Sequence, residues 1–159
     1  APDSDAHVPD QQAAWEKFES VFCAFAAGVH VIANAGMFSS AVCVSLEQLV
    51  IDAEIYSVCR RLLDGIKVER ETIALRSLLD VDHCGDYLLE DGTINNLRSG
   101  EHARPTVSSR QGYEKWRGLG GLSVEKEAAA KAEEILRLST AKQIPEEEQR
   151  ALQEIVSRC

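Results

Sequence analysis

The chain has 159 residues, 45% of them hydrophobic, and a formal net charge of −9. That length and apolar share suffice for one ordinary domain with a core, while the excess of acids over Lys and Arg argues against a phosphate-tracking nucleic-acid surface. The apolar runs Ala41–Val44 and Leu49–Ile51 fall far short of a membrane span and no basic-then-apolar leader opens the chain, so a soluble, cytoplasmic protein is expected, with neither nucleic acid nor membrane as partner.

Residues 1–9 are rich in Pro and Asp and carry no apolar period, so they read as a loop. Trp15, Phe18, Val21, Phe22 and Phe25 then recur at steps of three and four, which predicts a helix with an aromatic stripe packed inward, Glu16, Lys17, Glu19 and Ser20 facing away, and Gly28 as its stop. Val29–Asn34 reads as a short buried strand, apolar on both faces except at His30, which is expected as a core or strand-edge histidine. His7 is expected to face solvent. After the Gly-Met-Phe turn, Ser45 with Gln48 three residues on forms a capping box for a long apolar helix, 46–64. Arg60 and Arg61 near its end suit the helix dipole, and Gly65 closes it.

A second helical pattern spans Thr72–Val81. Periodicity is then lost over 82–107, which reads as a long binding loop or arm with one helical turn at Ile94–Arg98. A short helix at Tyr113–Arg117 ends on Gly118, the pair Gly120–Gly121 makes a turn, and Ser123–Leu138 has the Ala, Glu and Lys content of a surface helix. Pro145 opens the last helix, whose Leu152, Ile155 and Val156 form a narrow apolar face. The five cysteines include no Cys-x-x-Cys pair, and three lie in apolar helical surroundings; they read as buried thiols in a reducing compartment.

One strand–loop–helix unit of a layered α/β fold emerges, and a lone strand cannot satisfy its own edges. Either neighbouring strands from elsewhere flank it or a second copy pairs with it as a homo-oligomer.

Three stretches, SDAHVPDQQAAWEK (Ser4–Lys17), ANAGMFSSAVCVSLEQLVIDAE (Ala33–Glu54) and RPTVSSRQGYEKW (Arg104–Trp116), resemble the trimethylamine methyltransferase family, in particular its non-pyrrolysine, glycine betaine methyltransferase-like branch. The middle stretch is the most specific, since Gly-Met followed by Ser-x-Glu-Gln-Leu-Val-Ile-Asp-x-Glu is hard to produce by helix propensity alone. The resemblance implies the C-terminal β/α units of a (β/α)8 TIM barrel plus a helical tail, mostly α within this chain. Residues 1–81 would supply the barrel units and 82–159 the loop and helical extension. Met37 is the sole methionine, so Ala1 is a processed end or follows a cut, and the resemblance points to the cut.

The implied activity moves a methyl group from a methylated amine, a betaine or a trimethylamine-like compound, to a corrinoid (cobalamin) carried by a partner protein, with this piece incomplete on its own. The barrel geometry places candidate substrate-binding residues after strand ends: Ser4 and Asp5, which by resemblance follow an upstream strand, and Asn34, Gly36 and Met37 after the strand seen here. Asp5 and Met37 would wall a methylammonium, which charge and cation–π attraction hold best. The bland alternatives stand beside these: Asp5 and Asp10 as helix caps, Asn34 and Gly36 as turn formers. The catalytic residues are not identified by the resemblance, and no metal site is expected, because His83, Cys84 and His102 lack the count and spacing of a zinc site. The chain departs from the family where relatives tend to read Gly-Gly-His-Phe-Leu and His-Thr-Leu: here stand Cys84-Gly85-Asp86-Tyr87-Leu88 and Gly92-Thr93-Ile94, without either histidine. The competing function is a non-catalytic helical interaction or dimerisation module built on the 82–107 loop and the tail.

Overall fold

The computed structural model describes residues 3–81, 83–138 and 144–157. Helix α1 (Gln11–Ala26) starts where Asp10 accepts hydrogen bonds from the N–H groups of Gln12 and Ala13, and stops at Gly28, whose φ of +72° lets the chain leave the last turn. Strands β1 (Met37–Phe38) and β2 (Cys43–Val44) form a two-residue antiparallel hairpin, with Met37 opposite Val44 and Phe38 opposite Cys43. Helix α2 (Leu46–Leu63) follows, and Ser45 Oγ accepts from the Gln48 N–H at 3.0 Å. Only this half of the expected capping box forms, because the Gln48 side chain turns forward to Asp52. The chain leaves α2 through Gly65 at φ +68°, as anticipated.

The remaining elements are short. The expected 72–81 helix is divided at Ala74, a left-handed residue at φ +52°, into α3 (Arg70–Ile73) and α4 (Leu75–Asp80). The stretch expected as loop carries a 3₁₀ turn, Tyr87–Leu89, and a full helix α5 (Asp91–Arg98) where one turn was anticipated. Helices α6 (Tyr113–Gly118), α7 (Val124–Leu138) and α8 (Glu146–Ser157) close the sequence.

The core forms where α2 packs against both α1 and α7. It is built from small or polar side chains: Ala13, Val21, Cys59, Ala128 and Ala132 are buried, together with Ser4, Lys17, Gln48 and Asp52. Small residues let helix axes approach closely, and this corrects the view of α7 as a surface helix, since Ala128 and Ala132 lie one turn apart against the core. The stripe of α1 is displaced in part as well. Ala13, Lys17 and Val21 point inward at four-residue steps; of the expected stripe Val21 is buried and the Phe25 ring meets Tyr56 of α2 edge-on, whereas Trp15 is 69% exposed and Phe18 lies at the boundary.

The expected strand at Val29–Asn34 does not form. Among the described residues no strand lies alongside to accept its hydrogen bonds, His30 is exposed, and Val31 is 79% exposed. The thiols are corrected too: Cys59 is buried, but Cys23, Cys43 and Cys84 are exposed, and Cys159 lies outside the described residues. None of the described helices is long and apolar enough to cross a membrane.

Candidate functional site

The turn leading into the hairpin is held from beneath by one carboxylate. Asp52, fully buried on α2, accepts the Gly36 N–H at 2.7 Å, the Lys17 ammonium at 2.8 Å and the Gln48 side-chain amide at 2.7 Å. A buried charge is tolerated only when paired and hydrogen-bonded, and these three donors meet that requirement for Asp52. Gly36 sits at φ +80°, and a Cβ there would lie 3.1 Å from both the Leu49 Cβ and the Ser45 carbonyl oxygen, so the turn rests on the first turn of α2 with no room for a side chain. The Ser45 N–H in turn donates to the Gly36 carbonyl at 3.0 Å.

Gln48 and Tyr56 lie four residues either side of Asp52, on the same face of α2. The Gln48 side-chain carbonyl and the Tyr56 hydroxyl are buried without a hydrogen-bond partner among the described residues. Burial, reinforced by the negative charge of Asp52, pushes the Tyr56 hydroxyl up to about 12, so it remains a neutral donor at physiological pH.

The tip of the hairpin is latched by the start of the chain. Ser39 and Ser40 donate their N–H groups to the carbonyls of Ala6 and Ser4 at 2.9 and 3.0 Å. The Ser40 hydroxyl donates to the Asp5 carboxylate at 2.6 Å, and His7 Nδ1 meets Ser39 Oγ at 2.8 Å. Ser39, Ser40 and Ala41 occupy left-handed backbone at φ +52°, +52° and +64°, and Asn34 stands at +70°. Non-glycine residues adopt this region at a cost, and such strain persists only where surrounding contacts impose it. Ser4 donates its hydroxyl to Glu16 at 2.6 Å while Glu16 also takes the Asp5 N–H, and these bonds, that of Ser4 first and that of Gln12 next, hold the Glu16 carboxyl below the usual range.

The structure thus brings the five candidate residues onto one connected turn-and-latch. Ser4 is buried, the Asp5 side chain is exposed and engaged with Ser40, and Asn34 turns the chain while its carbonyl accepts from the Met37 N–H at 3.2 Å. Met37 is half-buried in β1. Of the two suggested caps, Asp10 caps α1 and Asp5 does not. Lys17, expected on the solvent face, is fully buried, and Gln48 and Asp52 act as an unexpected pair beneath the turn. Their four-residue spacing inside an apolar helix was the available signal.

A second polar anchor lies two residues further along α2. Glu54 accepts from the N–H groups of Thr106 and Val107 at 2.6 and 2.7 Å and from the Thr106 hydroxyl at 2.9 Å. Burial alone would raise this carboxyl, but the bonds from Ser108, Val107 and Thr106 outweigh it and bring the value down to about 2. The stretches Ser4–Lys17, Ala33–Glu54 and Arg104–Trp116, far apart in sequence, are therefore joined through α2: the first by Lys17 to Asp52, the third by Thr106 and Val107 to Glu54.

A profile of the family described as Trimethylamine methyltransferase (MTTB) matches residues 2–159. Trimethylamine methyltransferase MttB of Methanosarcina barkeri is 32% identical over 134 residues, covering 84% of this chain and 27% of that protein. Trimethylamine methyltransferase MttB1 of Methanosarcina acetivorans is 28% identical over 156 residues, 98% of this chain and 31% of the relative. Glycine betaine methyltransferase of Desulfitobacterium hafniense strain Y51 is 26% identical over 134 residues, 84% of this chain and 28% of its own length. The chain spans less than a third of the length of these relatives.

Proposed function

Because the chain belongs to the trimethylamine methyltransferase family, we propose that it is the C-terminal part of an enzyme that moves a methyl group from a methylated amine to a corrinoid carried on a partner protein. The observation that carries this reading is the family match over residues 2–159. In that reaction the C–N bond of the donor breaks, the amine keeps the electron pair, and the corrinoid is the acceptor, a substrate brought by another protein. The contribution of this chain is positional. Asp52 and Lys17 set the height of the Gly36 turn over α2, and Ser4–His7 fix the hairpin tip, so Asn34, Gly36 and Met37 would present a rigid rim to the donor, with Asp5 offering negative charge beside it. A site held by residues that are themselves locked is what transfer between two positioned groups requires.

The barrel assignment finds support in what Val29–Val44 leaves uncovered. Val31, Val42 and Val44 are 79, 82 and 66% exposed, and further β/α units of a longer protein would cover them. A second reading, a helical interaction module, is favoured by α8, which exposes Leu152, Ile155 and Val156. The deciding experiment is a methyl-transfer assay of the intact protein with its corrinoid partner and a panel including trimethylamine and glycine betaine. Transfer from any of these supports the enzyme; failure with all of them leaves the interaction module.

A further inference from the structure

A groove of about 400 Å³ lies between α2, the end of α5 and the segment after it, and it is lined by Arg61, Arg98, His102, Arg104 and Arg110. Such clustering is unexpected in a chain of net charge −9. The arginines are not equally committed. Arg61 pairs with Glu101 at 2.7 Å and donates to the Glu101 and Gly65 carbonyls, and Arg104 donates to the Leu97 carbonyl at 2.8 Å. Among the described residues, the guanidinium groups of Arg98 and Arg110 have no hydrogen-bond or ion-pair partner. Glu54, the one acid on the lining, is saturated by the 106–108 backbone and side chains. Four arginines set against Glu54 and Glu101 leave two positive charges in the groove, His102 not counted.

We propose that this groove binds a small phosphate-bearing ligand. Guanidinium groups present planar forks that match phosphate oxygens two at a time, and a phosphomonoester, carrying about −1.5 to −2 charges at neutral pH, matches the uncompensated charge. Small-ligand sites begin at about 300 Å³, so the groove has room for a short organic group attached to the phosphate as well as the phosphate itself. Three of the arginines come from Arg98 in α5 and from Arg104 and Arg110 in the following segment, which Glu54 docks against α2. The recognition is separate from the Gly36 turn and does not depend on which methyl donor is used.

Calorimetric titration of the intact protein with inorganic phosphate and with glycerol 3-phosphate tests this, with succinate as a dicarboxylate comparison. Binding of either phosphate probe, weakened about tenfold or more by Arg98→Ala and by Arg110→Ala at unchanged melting temperature and unaffected by Arg150→Ala, is the expected result. Tighter binding of glycerol 3-phosphate assigns the site to an organic phosphate, and equal binding assigns it to the free ion. No binding of either probe, succinate binding as tight as phosphate, or equal loss in Arg150→Ala would overturn the proposal.

Discussion

At Gly36 two independent constraints coincide, a left-handed φ of +80° and a missing Cβ that would press on α2 at 3.1 Å. Replacement by Ala should cost about 2–4 kcal/mol, combining the left-handed penalty with overpacking. Gly28→Ala, where open space surrounds the site, should cost only about 1–2 kcal/mol, and urea melts of the two variants give the comparison. Lys17→Met leaves the Asp52 carboxylate buried with only neutral donors, which should cost about 3–5 kcal/mol by the same measurement. Glu54 makes a pH prediction. Its carboxyl titrates near 4.5 when unfolded and near 2 when folded, so the unfolded state binds the proton more readily. Its stabilisation is complete above about pH 4.5 and is lost as pH falls toward 2. The melting temperature of Glu54→Gln should therefore drop less over that interval than that of the parent chain. These polar anchors were hard to read from sequence for a shared reason: a Lys or Asp in a helix is normally solvated, and only a partner 35 residues away, as Asp52 is for Lys17, reverses that expectation.

At the scale of elements, the starts and stops of helices were the legible part. Asp10, Ser45, Gly28 and Gly65 act through local backbone chemistry, and all four do what their residue types suggest. Which face a helix buries was less legible, because the neighbour decides it. Four aromatic residues and a valine suggested one stripe for α1; Val21 is buried and Phe25 meets Tyr56 of α2 as that stripe requires, yet at the start of the helix Ala13 and Lys17 take the buried places instead of Trp15. The same contrast separates α7 from α8. Ala128→Leu in α7 should cost about 1–3 kcal/mol by overpacking a fully buried position. Leu152→Asp in α8, a side chain 49% exposed on the narrow apolar face, should leave the melting curve within about 0.5 kcal/mol of the parent.

For the molecule as a whole, the mostly helical character was readable and the strand was not, since a strand's existence depends on companions that no local pattern can supply. Val31 offers a direct check on the barrel reading. Val31→Asp should be nearly neutral in this chain, where the side chain is 79% exposed, and should cost about 2–4 kcal/mol in a longer protein whose added β/α units bury it. Equal and small effects in both would count against those units covering Val31. The five candidate site residues were legible as turn formers and charges, whereas their union into one latch was not, because the bonds from Ser4–His7 to Ser39–Ser40 span more than thirty positions.

Asp52 reaches Lys17 across 35 positions and Glu54 reaches Val107 across 53. A synthetic peptide covering residues 34–63 would carry the Gly36 turn and the Ser45 cap, yet it would lack both the ammonium that neutralises Asp52 and the amides that occupy Glu54. Antibodies raised against such a peptide should accordingly recognise the denatured protein better than the native one.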